Sequence, residues 1–562
     1  MIGKRSEDCV VKNSFKWARF KQENVDSTLN ETVVTCFWPR NLLPDELFLY
    51  IATLIHCYNE DFDMRRFSTK LMSAAGVIAL VACTGSGADA GAVGSAGSQA
   101  GEARSISAAE KRQGAEAHPQ LLEEFGGAYT GRQVGYVVGV GQNIAVQSGL
   151  GNARSDFTVT LLNSPVNNAF AIPGGYVYLT RQLMALMNDE AEMAGVLGHE
   201  VGHVAARHSE KRQKAATRNS ILGVLGQIGS QILFGDSAIG RFGQQLAGTG
   251  TQLLTLKYSR KQEYEADDLG IRYLASAGYD PQALSSMLYS LAAQSAIDAR
   301  AAGRDARSAP EWASTHPDPA RRVSRAATNA SKLNKSGGVR NRDQFLQNLD
   351  GILYGDDPKQ GVIEGNSFQH PDLKLKFTVP NGFSMQNGAR AVSIVGSGGQ
   401  GQFTTGAYNG NMATYIDTAF KALAGEGKTI SYGPIERTTV NGLPASYAMA
   451  RVDSNNGAVD VTVFAYEFSK SSAFHFATIA PAGRAAVFSP MYQSIVKLSP
   501  AQAAVIRARK VDVVTVKNGD TISSLASRMA YTNYQQDRFL VLNGLSATDS
   551  LRAGQKVKII TY

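Results

Sequence analysis

The chain has 562 residues, with 56 Lys and Arg against 48 Asp and Glu, and a formal net charge of +8. That length exceeds a single hydrophobic core and predicts several domains. A basic excess this mild, without a zinc finger, a basic helix or an aromatic-basic array, speaks against a nucleic-acid partner and leaves anionic envelope polymers as a natural contact.

Residues 1–63 hold Cys9, Cys36 and Cys57, three of the four cysteines, together with Trp17 and Trp38, and show no motif. The first legible pattern starts at Met64 and reads MRRFSTKLMSAAGVIALVAC. Arg65, Arg66 and Lys70 precede an apolar run of about ten residues, the layout of a secretory signal, too short for a permanent membrane helix. Its last four residues, Leu80 to Cys83, resemble a bacterial lipobox. Met64 is therefore expected to be the initiator, with 1–63 a mis-called upstream extension and 64–82 a lipoprotein signal peptide. Cys83 would then carry the lipid that anchors the chain to a membrane. Thr84, rather than Asp, follows it, and resemblance to Gram-negative lipoproteins then implies the periplasmic face of the outer membrane. With only Cys83 left after export, no disulfide is expected. Residues 83–118 are rich in Gly, Ala and Ser and predict a flexible linker.

A domain over 119–335 carries the chemistry. Asn167 to Thr180, NNAFAIPGGYVYLT, predicts two strands joined by a glycine turn. An edge strand at Asn168, Ala169 and Phe170 would suit main-chain pairing with an extended peptide, although an ordinary core hairpin fits equally. NDEAEMAGVLGHEVGHVAARH predicts a helix with Asn188 or Asp189 as its N-cap. Within it His199 and His203 stand four apart on one face, where two imidazoles can bind one zinc ion, and Glu200 can serve as general base. His208 follows His203 by five, off its face of such a helix, and predicts a supporting or surface role. Ile221 to Phe234 is apolar but interrupted by Gln227, Ser230 and Gln231, and predicts a buried helix or a flap.

Tyr258 to Gly270, YSRKQEYEADDLG, predicts a second helix with Glu263 and Asp267 on one face. Glu263 would complete the ligand set for one zinc per chain, and Asp267 would orient a histidine through its free ring nitrogen. His316 and Arg322, in STHPDPARR, are candidates for a second electrophile beside the oxyanion. His316 could instead plug the open zinc position, or, with Pro317, merely shape a turn.

These four blocks, in this order and spacing, resemble the HtpX-type and CAAX-prenyl-protease-type zinc metallopeptidases over roughly Leu121 to Leu333, and among them the periplasmic BepA-like members. The resemblance implies zinc on His199, His203 and Glu263, catalysis by Glu200 and support from Asp267. It also implies unfolded or misassembled envelope proteins as substrates.

Residues 336–361 predict a helical linker. From 362 to 500 alternating patterns at Leu373, Leu375, Phe377 and Val379, and at Val459, Val461 and Val463, predict strands, with helices from Met412 and Ser489. This small α+β domain shows no catalytic motif, and His370 and His475 read as structural. Residues 511–562 predict a strand, two helices and a strand, and resemble a LysM module. That resemblance implies binding of N-acetylglucosamine glycans such as peptidoglycan, in a groove between Gly519, Asp520, Thr521 and Ile522 and Asn543, Gly544 and Leu545. A degenerate module serving protein contacts is the alternative. The expected fold is thus multidomain: a mainly α (α+β) metallopeptidase core, a small α+β domain and a βααβ LysM module. Two functions stand first, a zinc endopeptidase of the cell envelope and a glycan-binding scaffold or chaperone with a latent protease core; a peptidoglycan hydrolase, suggested by the LysM resemblance, comes third.

Overall fold

The computed structural model describes residues 105–151, 153–211, 258–301, 316, 318–333, 337–425, 429–454 and 457–562. The predicted signal, Cys83 and the apolar segment 221–234 lie outside the described residues. No helix among those described is long and apolar enough to cross a membrane.

The first helix, α1 (Ala108–Glu124), corrects the linker expected at 83–118, which is helical from Ala108 onward. Ser107 and Glu110 form a reciprocal capping box, and Leu121 buries against Phe170 and Tyr178. A local cap and one apolar face outweigh the flexible composition just before them. Next come α2 (Val134–Ala145), β1 (Thr158–Leu162), β2 (Ala169–Ile172), β3 (Tyr176–Thr180), α3 (Arg181–Leu186) and α4 (Glu190–Ala205). The three strands form a sheet in the order β1-β3-β2, with β1 parallel and β2 antiparallel to β3. Helix α4 packs on β2 and β3. Helices α5 (Arg260–Ser276), α6 (Ala283–Ala301) and α7 (Pro319–Ser331) complete this largely helical layer.

The stretch 336–361 is more than a linker. Its helix α8 (Arg342–Leu349) buries Phe345, Leu346 and Leu349 completely, and β4 (Leu353–Tyr354) follows. Apolar side chains at helical spacing draw the segment into the core rather than leaving it as a spacer.

A β-rich region then holds β5 (Val362–Glu364), β6 (Ser367–His370), β7 (Leu375–Thr378), β8 (Phe383–Asn387), β9 (Val392–Gly396), β10 (Gly399–Thr405), α9 (Met412–Ala424), β11 (Glu436–Val440), β12 (Leu443–Ser454), β13 (Gly457–Ser469), β14 (Ser472–Pro481), α10 (Ser489–Ser494) and β15 (Val496–Lys497). An antiparallel seven-stranded sheet, β11-β12-β13-β14-β10-β9-β8, accompanies a four-stranded one, β15-β7-β6-β5. Alternation along β13 sends Val461 and Val463 towards Ile416 and Phe420 of α9, and Phe464 and Tyr466 into an aromatic core with Phe377 and Phe476. Two local expectations change. The helix from Ser489 stops at Ser494, because the chain turns extended at Ile495 and pairs with β7. Leu373 is exposed, and the strand starts only at Leu375, after the left-handed turn residue Lys374.

The C-terminal module follows a short helix, α11 (Pro500–Ala504), and comprises β16 (Arg509–Thr515), α12 (Ile522–Ala526), α13 (Gln535–Leu542) and β17 (Lys556–Thr561). Strand β16 pairs antiparallel with β17 and also with β4. The module shares its core with the first domain: one buried cluster runs from Val137 and Leu197 through Phe345 and Ile352 to Phe539 and Ile559.

Candidate active site

The metal-helix pair is built from local signals. Asp189 caps α4 by accepting from the Glu192 amide at 2.9 Å. Tyr136 and Tyr279 donate their hydroxyls to Glu190 in its first turn, at 2.6 and 2.8 Å. Ser259 and Gln262 form a capping box on α5. The two helices cross very closely, and glycines permit it. A Cβ on Gly202 would lie 3.0 Å from the Ala266 carbonyl oxygen, and one on Gly270 would lie 3.0 Å from the His199 nitrogen. This approach carries Glu263 of α5 to the two histidines of α4.

Four donors converge in a buried cluster: His199, His203, Glu263 and His316. His199 Nε2 and His203 Nε2 are 3.1 Å apart. Glu263 lies 3.6 Å from the first and 3.4 Å from the second. His316 Nδ1 is 3.1 Å from Glu263 Oε1 and 3.4 Å from His199 Nε2. Metal bonds of about 2.0–2.1 Å in a tetrahedron imply ligand-to-ligand edges of roughly 3.3–3.4 Å. The donor set therefore fits zinc in spacing as well as in chemistry.

Around the donors sits a second layer. Asp267 Oδ1 meets His199 Nδ1 at 3.0 Å, and the His208 ring meets His203 Nδ1 at 2.8 Å. Each ligand histidine thus has its far nitrogen held, which fixes ring orientation. His208, fully buried and 3.2 Å from Glu265, belongs to this support and not to the ligands. Arg322 clasps Asp267 at 2.9 and 2.6 Å and also bonds Glu263. Its guanidinium thus serves the two carboxylates, whereas the sequence had offered it as an oxyanion partner. The Tyr258 ring stacks on His203 with 3.7 Å between centroids.

Glu200 stands apart. Both its carboxylate oxygens are buried without a hydrogen-bond partner, and Oε1 is 3.6 Å from His316 Nε2. Burial pushes its pKa up, despite the opposing charges of His316 and His199. Burial likewise drives His203 well below the ordinary histidine value, so it stands as a neutral imidazole, the form that ligates metal. Burial alone would raise Glu263 and Asp267. The His316 and Arg322 charges instead hold Glu263 well below the carboxylate range, and Arg322 holds Asp267 at about 2.

All seven residues expected at the centre, His199, Glu200, His203, Glu263, Asp267, His316 and Arg322, come together. Asn168, Ala169 and Phe170 are buried, and β2 is the edge of its sheet, beside α4. The expected glycan residues lie on the C-terminal module. Gly519 is exposed, Thr521 caps α12, and Asp520 accepts from the Lys517 amide. Asn543 is buried with both ends of its side chain bonded to backbone, and Leu545 is half-buried against the shared core. Sequence reading missed the stacked Tyr258 and the closeness enforced by glycines. Gly198 and Gly202, four apart on α4, were the available signal.

Residues 132–330 match the family model for Peptidase family M48, and residues 514–559 match that of the LysM domain. The chain carries an M48 peptidase domain. The chain is 33% identical over 210 residues to the beta-barrel assembly-enhancing protease of Yersinia pestis, covering 37% of this chain and 41% of that protein. It is 32% identical over 184 residues to the Escherichia coli K12 protein of the same name, covering 32% and 36%. The mitochondrial metalloendopeptidase OMA1 of Arabidopsis thaliana is 38% identical over 125 residues, covering 22% and 23%. The matches thus span less than half the length of each relative. Zinc is the metal of M48 peptidases, in agreement with the donor set found here.

Proposed function

We propose that the chain is a zinc-dependent endopeptidase of the bacterial cell envelope. The observation that carries this reading is the buried convergence of His199, His203 and Glu263 beside a Glu200 carboxylate with no hydrogen-bond partner. In such a site the zinc ion contributes Lewis acidity towards a peptide carbonyl and a water molecule. Glu200 takes the water's proton and delivers it to the leaving amine, and its raised pKa suits both tasks. Asp267 and His208 hold the histidine rings while Arg322 holds Glu263 and Asp267. Strand β2, at the edge of its sheet, would receive an extended substrate main chain to main chain at Asn168, Ala169 and Phe170.

The Yersinia and Escherichia relatives are named for enhancing beta-barrel assembly, which supports β-barrel proteins of the outer membrane, misfolded or stalled in assembly, as the substrates to test first. Lipid on Cys83 would hold the enzyme at the periplasmic face of the outer membrane, and its LysM module would hold peptidoglycan. The deciding experiment is zinc content with casein cleavage. Wild type should hold about one zinc per chain. Glu200→Gln should keep it while turnover falls about 10²–10⁴-fold, the usual worth of a general base. Full activity in that variant would end the mechanism.

One observation favours a second reading, a latent core on a glycan-binding scaffold. His316 Nδ1 stands among the donors, 3.4 Å from His199 Nε2 and 3.1 Å from Glu263 Oε1, where it could be a fourth ligand. There it would exclude the catalytic water until substrate displaced it. His316→Ala should then raise basal casein cleavage with zinc content unchanged. A sharp fall would instead assign His316 to stabilising the oxyanion.

A further inference from the structure

The LysM module plants one side chain deep in the M48 domain. Lys558, on the last strand β17, is fully buried. Its ammonium donates to the carbonyls of Ala185, Leu186 and Met187 at 2.9, 3.2 and 2.6 Å. These are the last carbonyls of α3 and the residue that follows it, which have no partner within a six-residue helix. Three acceptors match the three N–H groups of an ammonium.

The segment so gripped leads directly into the metal helix. Asn188 follows Met187 and donates its amide to Glu192 at 2.8 Å, and Asp189 is the N-cap of α4. The grip is itself fixed from the LysM side. Asn543 accepts from the Lys558 amide at 2.7 Å and donates to the Lys558 carbonyl at 2.9 Å. Gly544, beside it, has a left-handed φ of +61°, and a Cβ there would lie 2.9 Å from Asn188 Nδ2. Two residues that the LysM resemblance assigns to a glycan groove are thus engaged at this joint. Burial pulls the Lys558 pKa down to about 7, against the pull of Glu192. A module serving only as an anchor has no need to bury a charge at such cost in a neighbouring domain.

We propose that Lys558 is a positioning residue for the helix bearing His199, Glu200 and His203, which makes the LysM module a working part of the peptidase as well as an attachment. The peptidase reading above is its premise. Lys558 touches neither substrate nor metal ligand. It fixes the start of α4, and a shift of that helix is felt at the reacting centre, where small misplacements are costly.

Two variants of the full chain disturb this joint from different sides. Lys558→Met removes the ammonium and keeps an unbranched side chain. Gly544→Ala drives a methyl against Asn188. Hydrogen exchange at amides 187–193 of the zinc-free chain should rise in both. With zinc loaded, the metal should pass to a chelator faster, and kcat on casein should fall about tenfold or more with KM little changed. Lys510→Met, an exposed lysine on β16, should match wild type in all three. Should Lys558→Met fail to fold, Gly544→Ala decides. Folded variants with wild-type exchange and kcat overturn the assignment of Lys558. If wild type itself neither holds zinc nor cleaves casein, the peptidase reading falls, while exchange at 187–193 still judges the grip on α4.

Discussion

His203 and His475 are both buried histidines on regular elements, in different surroundings. His475 lies on β14 of the β-rich region, with the Tyr415 hydroxyl at 2.9 Å, and burial holds its imidazole at about 4. His203 lies in the M48 domain among His199, Glu263 and His316, with His208 behind it. Burial neutralises both rings. What separates them is convergence: around His203 four donor atoms share one small volume, whereas His475 packs in an aromatic and aliphatic core. A buried histidine becomes a centre when other donors turn towards it, and is otherwise a satisfied core residue.

Substitutions can break this contrast. The largest effect is expected at His203→Ala, which should lose the zinc and all casein cleavage; metal analysis of the purified variant reads it, and retained metal would mean a different ligand set.

At His475 the effect is on stability and depends on pH. Its folded pKa of about 4 lies below the ordinary 6.5, so the unfolded chain binds the extra proton between those values. Its stabilising share is complete above pH 6.5 and disappears as pH falls towards 4, about 3 kcal/mol at most. His475→Phe cannot titrate, so its melting temperature should drop less than wild type between pH 7 and pH 4.5. Parallel melting curves would remove His475 from the acid limb. Catalysis at pH 7 should be unchanged in that variant.

The smallest effect is expected at Gly270→Ala. Its methyl would sit 3.0 Å from the His199 nitrogen and force α4 and α5 apart. Overpacking of this kind costs roughly 1–3 kcal/mol. Both thermal stability and zinc retention should decline, and a variant as stable as wild type with tight zinc would mean the helices have slack.

The centre was legible because its chemistry is written at helical spacing. His199 and His203 share a face of α4, and Glu263 and Asp267 share one of α5. His316 and Arg322 were placed nearby by family resemblance, but their directions were not. Arg322 turns to Glu263 and Asp267 because two buried carboxylates need a cation more than an open cleft does. The strands at 375–378 and 459–468 followed from alternation, and the helix at Met412 from its sequence; the other strands of the β-rich region's two sheets were not singled out. What sequence could not show was long-range packing. Nothing local announces that Phe345 and Leu349 of an expected linker join Phe539 of the LysM module in one core, or that Lys558 reaches Ala185.

The pairing of β4 with β16 has a topological meaning. The chain leaves the common sheet at Tyr354 and rejoins it at Arg509, and these two residues face each other across the ladder. Everything between them is a loop in the topological sense, with a separate aromatic core that shares no buried residue with the cluster joining peptidase and LysM. The β-rich region is therefore an insertion cassette, entered and left at one ladder position, with polar contacts from Asp357, Gln360 and Arg390 to Asn163, Gly126 and Glu123 beside it, and removable there by a short turn. A chain shortened in this way should keep the zinc centre and its LysM clamp, with whatever the cassette recognises cut away.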